Sequence, residues 1–251
     1  MIRAFVTAAA LGLAATSASA FDIDAMTEAE RESFRSEIRN YLMENPEVLM
    51  EAIGVLEERR AAQAAAQEEI LLDQYRAAIF EDDHSWIGGN PDGDVTIVEF
   101  LDYRCGFCKR AYPEVKALLE GDGNIRIIVK EFPILGPESE LASRYAIAAK
   151  KIEGDAAYSA VHDALMEWQG PVNAGALGRI AATAGIEDHE AILAEMDSEE
   201  TTAIIAENRM LAQALNINGT PSFIMGESLV RGYVELEDMQ SIVAGIRETR
   251  G

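Results

Sequence analysis

Cys105 and Cys108 are the only cysteines in the 251-residue chain, and they enclose Gly106-Phe107 just after the apolar run Val95–Leu101. The segment DVTIVEFLDYRCGFCKRAYPEVKALL reads as a strand, a short turn and an amphipathic helix. A helix N-terminus offers unpaired N–H groups and a positive partial charge, which favour a thiolate and lower the pKa of the first cysteine. Cys105 is therefore the expected nucleophile and the more exposed of the two. Cys108, one turn into the helix, is placed to resolve a mixed disulfide. Other uses of the pair are weaker. Zinc needs about four ligands, and His84, His162 and His189 stand at no ligand spacing from the cysteines. A structural disulfide across three residues closes too small a loop to stabilise much. Copper(I) can be held by two thiolates alone and stays open as a binding-module reading. No cofactor or resident metal is called for.

Other residues bear on the same chemistry. In Asn218-Gly-Thr-Pro-Ser-Phe223, Pro221 stands just before a strand, where it cannot donate to a ladder. A cis Thr220-Pro221 bond would aim the Thr220 backbone at the dithiol and offer an edge to an extended peptide. Glu99 lies between Val98 and Phe100, so strand alternation puts it on the opposite face from both. It is either a partly buried carboxylate able to take the Cys108 proton or an exposed strand glutamate. Arg104, Lys109 and Arg110 would favour a thiolate if they face it and are otherwise solvated. Phe107 adds no ionisable group, which points to milder thiolate stabilisation than a histidine would give. The histidines, Trp86 and Trp168 read as packing or surface residues.

Around the dithiol the chain separates into regions. Residues 1–20, with Arg3, an apolar stretch and a closing Ala18-Ser19-Ala20, read as an export signal cleaved after Ala20. Residues 21–80 read as two helices. The first opens on a capping box, Thr27 to Glu30, and carries Phe34, Ile38, Tyr41 and Leu42. Asn45-Pro46 ends it and caps a second helix that reaches about Phe80. Two short amphipathic helices cannot build a core alone, so 21–80 must pack either on the main domain or on copies of itself, and self-association is the leading expectation. Residues 88–93 form a glycine-rich turn. Strand, dithiol helix and the strand Ile125–Lys130 make a right-handed βαβ unit. A helical stretch, about 138–215, is broken at Gly154, Gly170-Pro171 and Gly185. A hairpin of Ser222–Met225 and Leu229–Gly232 and a final helix from Leu236 to Thr249 close the chain. The order is that of an α/β thioredoxin fold with an inserted helical domain.

Loss of residues 1–20 leaves 20 basic against 44 acidic residues, a net charge of −24. Such a surface repels nucleic acid, so no nucleic-acid partner is expected. In an exported protein a cysteine pair can be oxidised and stay so.

Residues 93–109, Lys-Glu-Phe-Pro-Ile-Leu-Gly (130–136) and Gly-Thr-Pro-Ser-Phe (219–223) together resemble the DsbA family of periplasmic thiol–disulfide oxidoreductases. The likeness covers residues 81–251, with the helical insertion at about 137–215. It implies Cys105 as nucleophile, Cys108 as resolving partner, Pro221 in cis, Glu99 at the family's buried-acid position, and a periplasmic location. With its N-terminal helices the chain is similar to the narrower Com1-like and suppressor-of-copper-sensitivity C (ScsC-like) group, some of which form trimers through such an extension. The resemblance implies cysteine-containing clients and a membrane redox partner, DsbB-like for an oxidase or DsbD/ScsB-like for an isomerase or reductase. Cys-Gly-Phe-Cys departs from the Cys-Pro-His-Cys of the strong oxidant, and Thr220 resembles the isomerase branch. Isomerase or reductase is thus the leading expectation, with a monomeric dithiol oxidase as the alternative.

Overall fold

A computed structural model describes residues 24–250; the expected export signal lies outside the described residues. The chain divides into two compact units, one ending at Ala61 and one beginning at Ala62.

In the first unit, α1 (Glu28–Glu44) starts at the expected capping box: Glu30 N–H donates to Thr27 Oγ1 and Thr27 N–H donates to Glu30 Oε2. Asn45 ends this helix and does not cap the next one as expected. Its Nδ2 and its backbone N–H both donate to the Tyr41 carbonyl, so its side chain is used on the preceding turn. α2 (Glu47–Gln74) follows Pro46. No residue from 28 to 61 is buried, and Ile38, Tyr41, Leu49, Ile53 and Leu56 are exposed.

The second unit takes in the C-terminal part of α2, so it begins earlier than the expected boundary at residue 81. The reason is burial: Leu72 and Ile79 join Val98, Phe100, Leu211 and Leu215 in one core cluster. The helix is also pinched at Tyr75 (ψ 14) before α3 (Arg76–Phe80) and does not run unbroken to Phe80. The N–H groups of Tyr75 and Ile79 still find carbonyls four residues back.

A five-stranded sheet follows, in the order β1-β3-β2-β4-β5. β2 (Val95–Leu101) and β3 (Ile125–Glu131) run parallel, joined across α4 (Gly106–Asp122), and β4 (Ser222–Met225) pairs antiparallel with β2 and with β5 (Ser228–Arg231). β1 (Trp86–Gly89), antiparallel to β3, occupies part of the sequence expected to be turn alone. Its glycines are there for contact. The Trp86 indole lies over Gly88, where a Cβ would meet it at 2.1 Å, and Gly89 (φ +66) passes the Ile125 carbonyl so closely that a Cβ would sit 2.3 Å away.

Between β3 and β4 lie α5 (Pro137–Glu153), α6 (Asp155–Glu167), α7 (Ala174–Ala184), α8 (His189–Glu195) and α9 (Glu199–Ala214). Asn173, Asp188 and Ser198 cap α7, α8 and α9 by accepting from amide groups three residues on. The break at Ser198 had no glycine to announce it. α10 (Leu236–Arg250) ends the chain. Among the described residues no helix is long and apolar enough to cross a membrane.

β2 is buried nearly throughout. Val98 and Phe100 face the cluster that holds α2 and α9, whereas Val95 and Ile97 face α4 and α10. Glu99 shares the second face by strand alternation. On β3, Lys130 is fully buried and pairs with Asp82 and the Ala78 carbonyl, fixing residues 78–85 to the sheet. Removing one partner of such a pair leaves an uncompensated buried charge. Asp82→Ala is expected to destabilise the protein by about 3–5 kcal/mol, measured as a lower midpoint in denaturant unfolding.

Candidate active site: a dithiol over a buried carboxyl

Cys105 is the N-cap residue of α4 and Cys108 lies within its first turn. The strand ends at Leu101, and Asp102 shapes the loop between. Fully buried, Asp102 accepts the N–H of Arg104 at 2.7 Å through Oδ1, and those of Ile134 and Leu135 at 2.8 and 3.0 Å through Oδ2. This carboxylate ties the approach to Cys105 to the loop after β3. Sequence reading missed it; the only signal was an acidic residue closing an apolar strand.

Both cysteines are free thiols and both are buried, Cys105 at 7% exposure and Cys108 at 0%. The Cys105 pKa is lowered to about 5 by a hydrogen bond from the Cys108 thiol, helped by the Thr220 side chain and the Cys108 and Phe107 N–H groups and opposed by burial. Cys108 is driven far above the ordinary thiol range, chiefly by burial. The two sulfurs are thus held in opposite protonation states. The basic neighbours are engaged elsewhere. Lys109 Nζ donates to the carbonyls of Leu165, Met166 and Trp168 at the end of α6. Arg104 binds Glu138 and the Gly170 carbonyl, and Arg110 lies over the Tyr233 ring. Thiolate stabilisation comes from thiol and amide donors, so a non-ionisable Phe107 does not leave Cys105 with an ordinary pKa.

Thr220-Pro221 is cis, and the Thr220 carbonyl lies 3.1 Å from Cys105 Sγ, accepting from the protonated thiol. The hairpin thereby faces the dithiol. Phe107 is 60% exposed, and Ile134 and Leu135 of the Asp102-bound loop are exposed as well.

Glu99 is buried at 4% exposure and its Oε1 has no hydrogen-bond partner. Burial raises its pKa to about 8, with the Glu131 charge adding to the effect. Of the two sequence readings of Glu99, the structure selects the buried one. Its charge also weighs on Cys108. Beside it lies a polar cluster that sequence reading did not find. Glu131 Oε1 accepts from Tyr103 and Tyr158 hydroxyls at 2.8 and 2.6 Å, and Tyr103 Oη lies 3.1 Å from His162 Nδ1. Tyr103 gives its only proton to Glu131, so Nδ1 must carry the proton in the His162 contact. Burial lowers His162 to about 4, leaving it neutral. Trp86 stacks on Tyr158, with centroids 5.3 Å apart. A groove of about 490 Å³ between α4 and α6 is lined by Trp86, Tyr112, His162 and Glu99 among others. Trp86 and His162, expected to be ordinary packing or surface residues, border the acid. Among the described residues no group of three or more His, Cys, Asp or Glu side chains is placed to hold a metal ion.

A strand-to-helix dithiol, a hairpin with a cis-proline opposite it and a carboxyl below it define a thioredoxin-fold redox protein. Residues 81–244 match the family model described as thioredoxin, and residues 30–63 match the copper resistance protein ScsC N-terminal domain. A thioredoxin-like oxidoreductase from Silicibacter pomeroyi is 43% identical, covering 69% of this chain and 98% of its own, with a TM-score of 0.65. The thiol-disulfide exchange protein alpha-DsbA2 from Wolbachia pipientis is 28% identical over 72% of this chain and 97% of its own (TM-score 0.67). ScsC from Proteus mirabilis in a transitional conformation is 26% identical over 88% of this chain and 98% of its own (TM-score 0.65). The chain spans only 28% of the length of two curated relatives, Na(+)/H(+) antiporters from Salinispora arenicola and Salinispora tropica, at 27% and 25% identity over 74% of this chain. The chain belongs to the thioredoxin family, in the DsbA/ScsC-like group.

Two measurements test the electrostatics. Alkylation of Cys105 by iodoacetamide should follow its thiolate, with a midpoint near pH 5 rather than the usual thiol range of about 8.5; mass spectrometry of the labelled peptide reads it. For Glu99 the raised pKa means that the folded state binds more protons than the unfolded one between pH 4.5 and about 8. Its contribution to stability therefore falls as pH rises through that window. Glu99→Gln should be more stable than the parent protein by a margin that widens from pH 4.5 to 8, measured by chemical denaturation.

Proposed function

We propose that the protein is an exported thiol–disulfide oxidoreductase that reshuffles or reduces wrong disulfides in cysteine-containing clients. The observation that carries this reading is the split between the sulfurs, a stabilised thiolate at Cys105 beside a thiol kept protonated at Cys108. The Cys105 thiolate attacks a client disulfide, forming a mixed disulfide and expelling one client thiolate. Rearrangement within the client releases Cys105 unchanged. In the reductive branch, Cys108 loses its proton to the Glu99 carboxylate and attacks Cys105 Sγ, which frees the second client thiolate and leaves Cys105–Cys108 oxidised. A membrane redox partner of the DsbD/ScsB-like kind then returns two electrons. Thr220 and Pro221 face the dithiol, where an extended client segment would pair with the hairpin edge.

Residues 24–61 supply self-association in this reading. Ile38, Tyr41, Leu49, Ile53 and Leu56 form an exposed apolar series, which lies within the residues that match the ScsC N-terminal domain. Copies assembled through it would present several dithiols to one client, raising effective thiol concentration. A double charge substitution, Leu49→Glu with Ile53→Glu, is expected to give a monomer by light scattering that reduces a simple disulfide at the parent rate and loses most refolding of scrambled, disulfide-shuffled substrate. Refolding at the parent rate by a monomer would contradict it.

A second reading, a dithiol oxidase served by a DsbB-like partner, draws on the same low Cys105 pKa, because a stabilised reduced form makes a more oxidising disulfide. The reduction potential separates them: a value near about −120 mV marks an oxidase, and one near about −200 mV or below suits shuffling or reduction. A copper(I)-binding module rests on the thiol pair and on the name of the N-terminal match. It requires tight Cu(I) binding by the reduced protein together with no turnover of disulfides.

A further inference from the structure

Glu131 has no role in the exchange steps described above, yet it is 3% exposed and placed on the same sheet face as Glu99. In the parallel pairing Glu99 stands opposite Val129, and Leu101 opposite Glu131. The two carboxyls are therefore diagonal neighbours, roughly 7–8 Å apart at Cα by ordinary sheet spacing. Two charges at that separation in a buried site repel strongly, so the pocket holds one negative charge far more readily than two. The surroundings decide which carboxyl carries it. Glu131 Oε1 takes two tyrosine hydroxyl bonds while its Oε2 takes none, and Glu99 Oε1 has no partner at all. Hydrogen bonds to the charged form favour it, so the charge settles on Glu131 and the proton on Glu99.

We propose that Glu131 is a positioning residue for the resolving step: by carrying this charge it sets the proton affinity of Glu99, the group assigned to take the Cys108 proton. The inference rests on the dithiol exchange proposed above. The step it governs runs from the fraction of molecules in which Glu99 is ionised, the minor form below its midpoint near pH 8: the Cys108 S–H proton passes to that carboxylate and the Cys108 sulfur bonds Cys105 Sγ. The Cys105–client S–S bond breaks, and the client sulfur leaves with the electron pair. Raising the proton affinity of Glu99 makes its ionised form a stronger base toward a thiol that burial renders very weakly acidic.

Other titratable groups face this pocket, and Glu131→Gln leaves each of them in place. From α4 come Cys108, Tyr112, Lys116 and Glu120; from α6 come Tyr158, His162 and Asp163; and the β2–α4 loop supplies Tyr103 and Asp102. β4 sets only Phe223 opposite Glu99. Lys116 is paired with Asp163 at 3.6 Å, and His162 is neutral, so Glu131 is the one carboxylate acting on Glu99 as a neighbouring charge.

The test is a carbon-13 NMR titration of glutamate carboxyls in the reduced protein, with Glu99 assigned by comparison with Glu99→Gln. It is run alongside the pH profile for release of a small thiol from a Cys105 mixed disulfide. Glu131→Gln keeps an acceptor for the tyrosines and removes the charge. It should lower the Glu99 midpoint by about one pH unit or more and move the release profile the same way. Glu131→Asp, which keeps a carboxylate, should retain the raised midpoint. Should Glu131→Gln not fold, Tyr158→Phe decides, because losing one donor shifts the proton toward Glu131 and lowers the Glu99 midpoint. A folded variant, Glu131→Gln or Tyr158→Phe, with the Glu99 midpoint unmoved overturns the inference. The titration does not depend on turnover, so it stands apart from a failure of the oxidoreductase reading, which would instead show as no release by the parent protein.

Discussion

The opposite protonation of two neighbouring sulfurs is the constraint around which this site is arranged. A thiolate at the end of α4 needs donors, and the Cys108 thiol, the Thr220 side chain and the first amides of the helix supply them. The donor thiol can serve only while it keeps its proton, and burial ensures that it does. Each sulfur is thus defined by the other. Helix α4 fixes their spacing, the Asp102 carboxylate fixes the loop that delivers Cys105, and the hairpin brings the Thr220 carbonyl to the remaining side.

Such a split creates a difficulty for turnover, since the resolving thiol must at some moment ionise in a site that disfavours its charge. A basic carboxyl below the pair answers it, and the cost is visible in the fold. Glu99 occupies a strand position that alternation turns toward apolar neighbours such as Ile97, and its Oε1 is without a partner. An unpaired polar group in a buried strand is destabilising, so function and not packing accounts for its presence. The tyrosine-bound Glu131 next to it shows how hydrogen bonding, in place of a counter-ion, reduces the cost of one buried charge, although burial still lifts its pKa to about 7.

Much of this was legible in the residue order. The β2 run, Cys105 to Cys108 and the helix beyond them follow from local pattern alone, because a strand, a turn and an amphipathic helix are short-range features. The capping box at Thr27 is equally local. Pro221 became readable only once the thioredoxin order was in hand, since nothing within a few residues sets its isomer. β1 was hidden because its glycines answer to an indole and to a strand carbonyl distant in sequence. The Glu131, Tyr103, Tyr158 and His162 cluster joins residues up to 59 positions apart, and no periodicity signals such a meeting. Residues 62–80 were assigned to the extension because their helical pattern continues without a break, while the burial of Leu72 and Ile79 depends on a sheet formed later in the chain.

Mass spectrometry of trapped mixed disulfides tests the central claim most directly. Incubated with a disulfide-containing client, the Cys108→Ser protein should accumulate a covalent adduct through Cys105, and the Cys105→Ser protein should accumulate none. Equal adduct on both variants, or an adduct held through Cys108 alone, would contradict the assignment of Cys105 as the attacking thiolate and Cys108 as the group that releases it.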